Sequence, residues 1–132
     1  MRLPAPIADA YGVAIRCLIV DDNNLFLDAA TELLAREGLD VVGTATTSAD
    51  AIRRADELRP DVTLVDIDLG YEDGFELAEA LSDRVAADSS VILVSTHSEE
   101  EFGELIAASP ALGFIAKTQI SARAIRELLD SG

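Results

Sequence analysis

The chain alternates short runs rich in apolar residues with longer segments in which apolar residues recur every three or four positions. Short apolar runs are typical of strands buried on both faces, and the longer segments are typical of amphipathic helices. Five such runs span residues 15–20, 39–45, 62–65, 91–94 and 112–116. Their alternation with helical segments predicts a parallel α/β sheet that is covered by helices on both faces.

The first two helices are indicated by spacing and by their ends. Apolar residues recur at helical spacing after the first run, at Leu25, Ala29, Leu33 and Leu34. Gly38 is expected to end that helix. Ser48 is predicted to be the N-cap of the second helix, and Pro60 forces its end near residue 58.

The remaining three helices are predicted in the same way. The helix after the third run has apolar residues at Phe75, Leu77, Ala78, Leu81 and Val85. Ser98 and Glu101 have the spacing of a capping box, which predicts a helix from Ser98 to about residue 108. Ser121 is predicted to cap the last helix. The inner face of that helix has the apolar residues Ile125, Leu128 and Leu129.

Chain length and topology rules narrow the fold. The 132 residues are enough for one core, and right-handed crossovers limit how parallel strands can be ordered. We predict an α/β, flavodoxin-like (βα)5 three-layer sandwich with a five-stranded parallel sheet of order 2-1-3-4-5. The domain is expected to span residues 15–132. Residues 1–14, with Pro4, Pro6 and Gly12, are expected to be a flexible N-terminal extension.

Polar side chains directly follow four of the five runs. Asp21 and Asp22 follow the first run and Asp66 follows the third. Ser95 follows the fourth run, and Lys117 follows the fifth. In an open parallel sheet, ligands bind outside the carboxyl ends of the strands, where these residues meet. The pattern therefore predicts a site at this edge.

The residue types at this edge indicate phosphoryl chemistry. Three clustered carboxylates repel one another, so the cluster is expected either to have some raised pKa values or to bind a cation. Oxygen ligands without His or thiolate favour a hard ion such as Mg²⁺. Lys117 could pair with a phosphoryl group, and the Ser95 hydroxyl could donate a hydrogen bond to it. A carboxylate nucleophile, a metal and two donors form a phosphoryl-transfer site.

In this order and spacing, together with the Asp73-Gly74 turn, these residues resemble the receiver domains of bacterial two-component response regulators, which share the chemotaxis-type receiver fold. The resemblance begins at residue 15. It implies that Asp66 is the phosphoacceptor, phosphorylated by a histidine kinase or phosphotransfer protein with Mg²⁺. Asp22 would bind Mg²⁺ directly and Asp21 mostly through a water, and the backbone carbonyl of Asp68 would complete the protein ligands.

The resemblance also implies how a signal leaves the site. Ser95 would bind the phosphoryl group and move toward it, Lys117 would pair with it, and Phe114 matches the aromatic switch position. The output would be a changed protein–protein surface formed by the fourth helix, the strand with Phe114 and the last helix. Asp68 and Thr96 depart from the common family pattern. At these positions the two side chains would tune the lifetime of the phosphoryl group.

Composition limits the partners and the location. The net charge of −15 argues against direct nucleic-acid binding. No apolar run reaches the roughly 18 residues of a membrane span, and we expect a cytoplasmic protein without a membrane partner. Cys17 alone allows no intramolecular disulfide and is expected to be a small buried hydrophobe.

Because about 130 residues leave no room for an ordinary output domain, we expect a stand-alone receiver or a fragment that acts on an unknown protein effector. Homodimerisation on phosphorylation stays open.

Several plainer readings compete with this hypothesis. Asp21 or Asp22 could be an N-cap, Phe114 could be an ordinary core residue, and His97 is assigned no role beyond that of a loop residue. The sequence Asp66-Ile67-Asp68 also looks like the first motif of haloacid-dehalogenase-type phosphatases. A phosphorylation-independent interaction domain is the third alternative. We expect no enzymatic activity beyond the domain's own phosphotransfer and autodephosphorylation.

Overall fold

The strands form where the sequence has its short apolar runs. In the computed structural model, which describes residues 14–84 and 89–131, seven strands lie within those residues. They are β1 (Arg16–Val20), β2 (Asp40–Ala45), β3 (Val62–Asp66), β4 (Asp68–Leu69), β5 (Glu72–Asp73), β6 (Ser90–Ser95) and β7 (Gly113–Ala116). Five of them form a parallel sheet in the order β2-β1-β3-β6-β7. β4 and β5 do not belong to this sheet, so β6 and β7 are its fourth and fifth strands. The order is therefore the predicted 2-1-3-4-5, and the predicted fold is confirmed.

Helices cover both faces of the sheet. They are α1 (Asn24–Arg36), α2 (Ser48–Leu58), α3 (Gly74–Arg84), α4 (Gly103–Ala108) and α5 (Ala122–Ser131). Successive residues of β1 face opposite cores: Cys17 and Ile19 pack with α1 and α5, whereas Leu18 and Val20 pack with α2 and α3. This alternation is the period of two expected for a strand, and it gives the three layers.

The buried face of α1 differs from the prediction. Leu25 is 80% exposed and Ala29 is exposed, whereas Leu27, Ala30 and Leu34 are buried. The helix begins only at Asn24, so Leu25 lies on the outer side of its first turn. The inward stripe therefore starts two residues later, at Leu27. The predicted end is confirmed, because Gly38 has a φ of 100° directly after the helix.

Two predicted caps are wrong and one is confirmed. Thr47, rather than Ser48, caps α2, since its Oγ1 accepts a hydrogen bond from the Asp50 amide at 3.1 Å. Ser98 makes no capping hydrogen bond, and a 3-10 turn over Glu99–Phe102 precedes the short α4. Gly103 is a poor helix former, which disfavours one continuous helix from Ser98 through residue 108. Ser121 does cap α5, accepting from the Ala124 amide at 3.0 Å.

A small hairpin, β4 with β5, lies directly after β3 where only a loop was predicted. Gly70 turns it with a φ of 76°, a conformation that favours glycine. Gly74 then lies so close to β3 that an added Cβ would be 2.1 Å from the carbonyl oxygen of Asp66. Glycine at position 74 is therefore what lets α3 begin against the end of β3.

Some predictions lie outside the described residues. These are the extension over residues 1–13 and the place of Val85 in the third helix. Within the described part of the chain, no helix is long and apolar enough to cross a membrane. Cys17 is fully buried, and burial raises the pKa of its thiol to about 12, as expected for an unreactive core residue.

Candidate functional site

Three carboxylates meet at the carboxyl edge of the sheet. Asp21 follows β1 and is fully buried, Asp66 ends β3 and is 4% exposed, and Asp22 is exposed beside them. Each offers one carboxylate oxygen, and these oxygens all lie within 4.8 Å of one another. The predicted acidic cluster therefore exists.

Lys117 is the cation at this edge. Its Nζ lies 2.6 Å from Asp21 Oδ2 and 3.3 Å from Asp66 Oδ2, and its side chain is 13% exposed. The same ammonium group lies 4.4 Å from the centre of the Phe26 ring, in a cation–π contact. Burial alone lowers the pKa of Lys117, but the carboxylates of Asp21 and Asp66 outweigh it and raise the pKa. The amine therefore stays charged.

The carboxyl group of Asp66 is held from two sides. Its Oδ1 accepts a hydrogen bond from the Asp68 amide at 3.1 Å, and its Oδ2 faces Lys117. The pKa of Asp66 is raised to about 6, mainly because the carboxyl group is buried and secondly because Asp21 is negatively charged. The hydrogen bond from the Asp68 amide and the charge of Lys117 act in the opposite direction and lower this pKa. At pH 7.5 the carboxylate therefore predominates, and its two oxygens are held in a fixed orientation.

The cluster fits a hard cation such as Mg²⁺. Among the described residues, Asp21 Oδ2 is buried without a properly oriented hydrogen bond, although Lys117 is close enough for an ion pair. A buried anionic oxygen in this state has ligand capacity left, and the donor set contains only oxygens. Asp21, Asp22 and Asp66 are the residues that would hold the ion.

Asp68 lies at the start of the hairpin. Its side chain is directed to the turn, where Oδ1 accepts a hydrogen bond from the Gly70 amide at 3.2 Å. The predicted role of its backbone carbonyl as a metal ligand stays a prediction. Gly70 also limits the space there, because an added Cβ would be 3.0 Å from Asp22 Oδ2. The hairpin turn thus borders the acidic cluster.

The capping alternative for the first two carboxylates is wrong. Asn23 is the N-cap of α1, and its Oδ1 accepts hydrogen bonds from the amides of Leu25 at 2.9 Å and Phe26 at 3.3 Å. Asp21 Oδ1 accepts from the Asn23 amide at 2.9 Å, which leaves Oδ2 directed to the cluster. Because Asn23 caps α1, neither Asp21 nor Asp22 serves as the cap, and both carboxylates remain part of the acidic cluster.

Ser95 ends β6 and is 1% exposed. Its Oγ accepts a hydrogen bond from the His97 amide at 3.0 Å and lies 3.3 Å from His97 Nδ1. The ring of His97 in turn meets Phe102 edge-on, with ring centres 5.6 Å apart. The hydroxyl is thus at the predicted edge, but its hydrogen bonds go to His97 rather than to Asp66 or Lys117.

Phe114 lies in β7, half-buried against the core on the α2 and α3 face. It also lines a surface groove of about 670 Å³, together with Ser98, Glu99, Glu127 and Leu128. The ring is therefore part core and part surface. A movable side chain at a surface groove is compatible with a switch, and its switch role stays a prediction.

Sequence reasoning missed two contacts of the site. Phe26 follows Asp22 by four positions, and its ring reaches Lys117 from a different element. His97 follows Ser95 by two positions, a spacing at which its ring nitrogen can reach the hydroxyl. The spacing of two residues could have predicted the contact between His97 and Ser95. Nothing in the sequence indicates the contact between Phe26 and Lys117.

Comparison with known proteins agrees with this geometry. The sequence matches the response regulator receiver domain family over residues 17–130. It is 34% identical over 108 residues to protein-glutamate methylesterase/protein-glutamine glutaminase 2 of Koribacter versatilis, covering 80% of this chain and 29% of that protein. It is 36% identical over 104 residues to the response regulator GacA of Pseudomonas aeruginosa, covering 78% of this chain and 48% of that protein.

A solved structure shows the same fold. The chain is similar to a CheY-like response regulator receiver domain protein from Methanospirillum hungatei, with a TM-score of 0.75 and 27% identity over 89% of this chain and 95% of that one. The chain belongs to the response regulator receiver domain family, whose members act in two-component signalling. It spans less than half the length of the two curated relatives above. Phosphoaspartate and Mg²⁺ are typical of the family, and the match does not favour the phosphatase alternative.

Proposed function

We propose that this receiver domain accepts a phosphoryl group on Asp66 from a histidine kinase or a phosphotransfer protein. The observation that carries the proposal is the environment of the Asp66 carboxylate. It is oriented by the Asp68 amide, faces the Lys117 ammonium at 3.3 Å and lies within reach of two further carboxylates. The two carboxylate oxygens of Asp66 thus lie beside a cation, and Asp66 belongs to a group of three carboxylates that could bind a metal ion.

The chemistry follows from these positions. An oxygen of Asp66 attacks the phosphorus of a phosphohistidine, an O–P bond forms as the N–P bond breaks, and the released imidazole takes up a proton. Asp21, Asp22 and Asp66 would hold Mg²⁺, and the ion would neutralise the charge that otherwise repels the incoming phosphoryl group. Lys117 keeps its charge and can move from Asp66 to a phosphoryl oxygen, to which the Ser95 hydroxyl also donates.

The signal would leave through the surface that contains the groove. Glu99 and Glu127 lie along it, and the chain has a net charge of −15, so a protein effector with a basic contact surface fits better than a nucleic acid. Phe114→Ala is expected to weaken the phosphorylation-dependent response more than it weakens Mg²⁺ binding. Equal losses of both would indicate that Phe114 acts only in packing.

Intact mass after incubation with acetyl phosphate and Mg²⁺ tests the proposal. We expect a gain of one phosphoryl group, which is absent in Asp66→Asn and absent without the metal. No gain, even with a cognate kinase, would instead support the phosphorylation-independent interaction domain. Repeated turnover of p-nitrophenyl phosphate would support the phosphatase alternative, because a receiver retains at most one phosphoryl group per chain.

A further inference from the structure

His97 connects the buried hydroxyl of the site to an aromatic pair on the surface. Ser95 Oγ accepts from the His97 amide at 3.0 Å and is 3.3 Å from Nδ1 of the same residue. The imidazole edge meets Phe102 at a ring separation of 5.6 Å and an angle of 90°. Phe102 lies 6.1 Å from Phe75, which follows the glycine that packs against the end of β3.

The direction of the side-chain hydrogen bond follows from burial. A hydroxyl has one proton to donate, and a buried hydroxyl that donates to nothing loses free energy. Ser95 is 1% exposed, and His97 Nδ1 is the one acceptor within hydrogen-bond distance among the described residues. In the unphosphorylated domain the hydroxyl therefore donates to Nδ1 while it accepts from the His97 amide.

This arrangement conflicts with the role of Ser95 toward a phosphoryl group. The hydroxyl cannot donate its single proton to Nδ1 and to a phosphoryl oxygen on Asp66 at the same time. We propose that His97 is a positioning residue that holds the Ser95 hydroxyl in its resting orientation, and that phosphorylation breaks this hydrogen bond and changes the contact between His97 and Phe102. The proposal rests on the proposed function of Asp66.

The segment that receives this change is poorly anchored. Phe102 ends the 3-10 turn, and α4 then runs for six residues, none of which is buried. A segment with few buried contacts moves at low cost in free energy. Because the half-buried Phe102 and Ile106 are the side chains that hold this segment against the core, a changed ring contact at Phe102 is expected to shift the start of α4.

The chain has one histidine, so its imidazole can be observed without assignment. We would record the imidazole ¹⁵N resonances at pH 8, before and after addition of beryllium fluoride and Mg²⁺ as a phosphoryl mimic. The Nδ1 resonance is expected to shift to the position of an Nδ1 atom that accepts no hydrogen bond, because the Ser95 hydroxyl no longer donates to it. In Ser95→Ala it should already be at that position and should not move when the mimic is added.

Two substitutions separate the two contacts of His97. His97→Phe keeps a ring beside Phe102 but removes Nδ1, so the apparent affinity for beryllium fluoride should rise roughly two- to tenfold, the effect of one lost hydrogen bond. His97→Asn keeps an acceptor near the Nδ1 position but removes the ring, so the affinity should stay near that of the unsubstituted chain. With ¹⁹F-labelled phenylalanine, of which the chain has four, the Phe102 signal should respond to the mimic in the unsubstituted chain and not in His97→Asn.

The outcomes distinguish this inference from the proposed function. If beryllium fluoride leaves the Asp66 and Asp68 amide resonances unchanged, and neither acetyl phosphate nor a cognate kinase adds mass, the proposed function fails. If those amides shift and the mass rises while the His97 resonance stays fixed, the inference is overturned and the proposed function stands. An unchanged affinity in His97→Phe, with the fold verified by circular dichroism, would also overturn it.

Discussion

The two sides of the site are packed very differently. On the acidic side, Asp21, Asp66 and Lys117 are largely buried, and each is fixed by at least one partner within 3.3 Å. On the hydroxyl side, Ser95 is buried, but its partner His97 is exposed, and α4 has no buried residue. A charge cluster that must hold one geometry is thus next to a segment that can move. On the proposed function, the tightly held side carries the phosphoryl chemistry and the loosely held side carries the signal output.

The largest expected effect is on the acidic side. Lys117→Met should lower the free energy of unfolding of the metal-free protein by about 3 kcal/mol at pH 7.5, because two buried carboxylates lose their cation. Mg²⁺ should restore part of that loss, since it would neutralise the same carboxylates. Urea denaturation with and without Mg²⁺ measures both effects.

A matched control is Arg123→Met on α5, where the cation is exposed and pairs with Glu127 at 3.3 Å. An exposed pair of this kind contributes less than about 0.5 kcal/mol. Equal losses in the two variants would contradict the idea that the Lys117 cluster is the tightly held side.

Asp66→Asn should stabilise the metal-free protein at pH 7.5 by about 3 kcal/mol, since the pKa of Asp66 rises by about two units and one pKa unit corresponds to about 1.4 kcal/mol. The pKa of Asp66 is raised from 3.8 to about 6, so the folded state holds the proton more tightly than the unfolded state does. The parent protein therefore has this stability in full below pH 3.8 and loses it as the pH rises through 6.

The asparagine variant has no proton to lose there, and its advantage should disappear near pH 4. Urea denaturation at pH 4 and pH 7.5 measures the difference, with Asp22→Asn as the exposed control. An advantage of Asp66→Asn that is the same at both pH values would show that its carboxyl is not held in a raised-pKa environment.

A smaller effect is expected at Phe26. A cation–π contact is worth about 0.5–1 kcal/mol, and Phe26 provides one to Lys117. Single and double variants Phe26→Leu and Lys117→Met form a cycle that removes the packing cost of the ring from the comparison. The coupling energy should be about 0.5–1 kcal/mol and favourable. Strictly additive effects would show that the two side chains are neighbours without interacting.

The smallest effect is expected on the movable side. Nothing lies within 4 Å of a Cβ added at Gly103, and its φ of −52° is helical. Gly103→Ala should therefore stabilise the domain by about 0.5 kcal/mol. Amide hydrogen exchange should show the added protection in α4 alone. Unchanged exchange in α4 would mean that this segment is already as stable as the core.

The fold and the acidic cluster could be predicted because they depend on pattern alone. Parallel strands bring their carboxyl ends to one edge, so the order of Asp21, Asp66 and Lys117 along the chain was enough to place them together.

Leu34 of α1 was predicted correctly and is buried, whereas Leu25 and Ala29 are exposed. Apolar residues lie on more than one side of this helix, so helical spacing alone did not select the buried stripe. Thr47 and Ser48 are both good caps, so the sequence could not choose between them.

Other features depend on contacts between distant elements. The ring of Phe26 reaches Lys117 across the site, and the ring of His97 contacts Phe102 at the end of a 3-10 turn that was not predicted. Such contacts are set by tertiary packing. Local propensity carries no information about them.

Chemical trapping is the most direct test of whether Asp66 carries the phosphoryl group. Borohydride reduces an aspartyl phosphate to homoserine, so protein treated with acetyl phosphate and Mg²⁺ is reduced, digested and mapped by mass spectrometry. Homoserine is expected at position 66 and at no other aspartate, and none is expected when Mg²⁺ is omitted. Homoserine at Asp21, Asp22 or Asp68, or an unmodified position 66 in protein that has gained a phosphoryl group, would contradict this expectation.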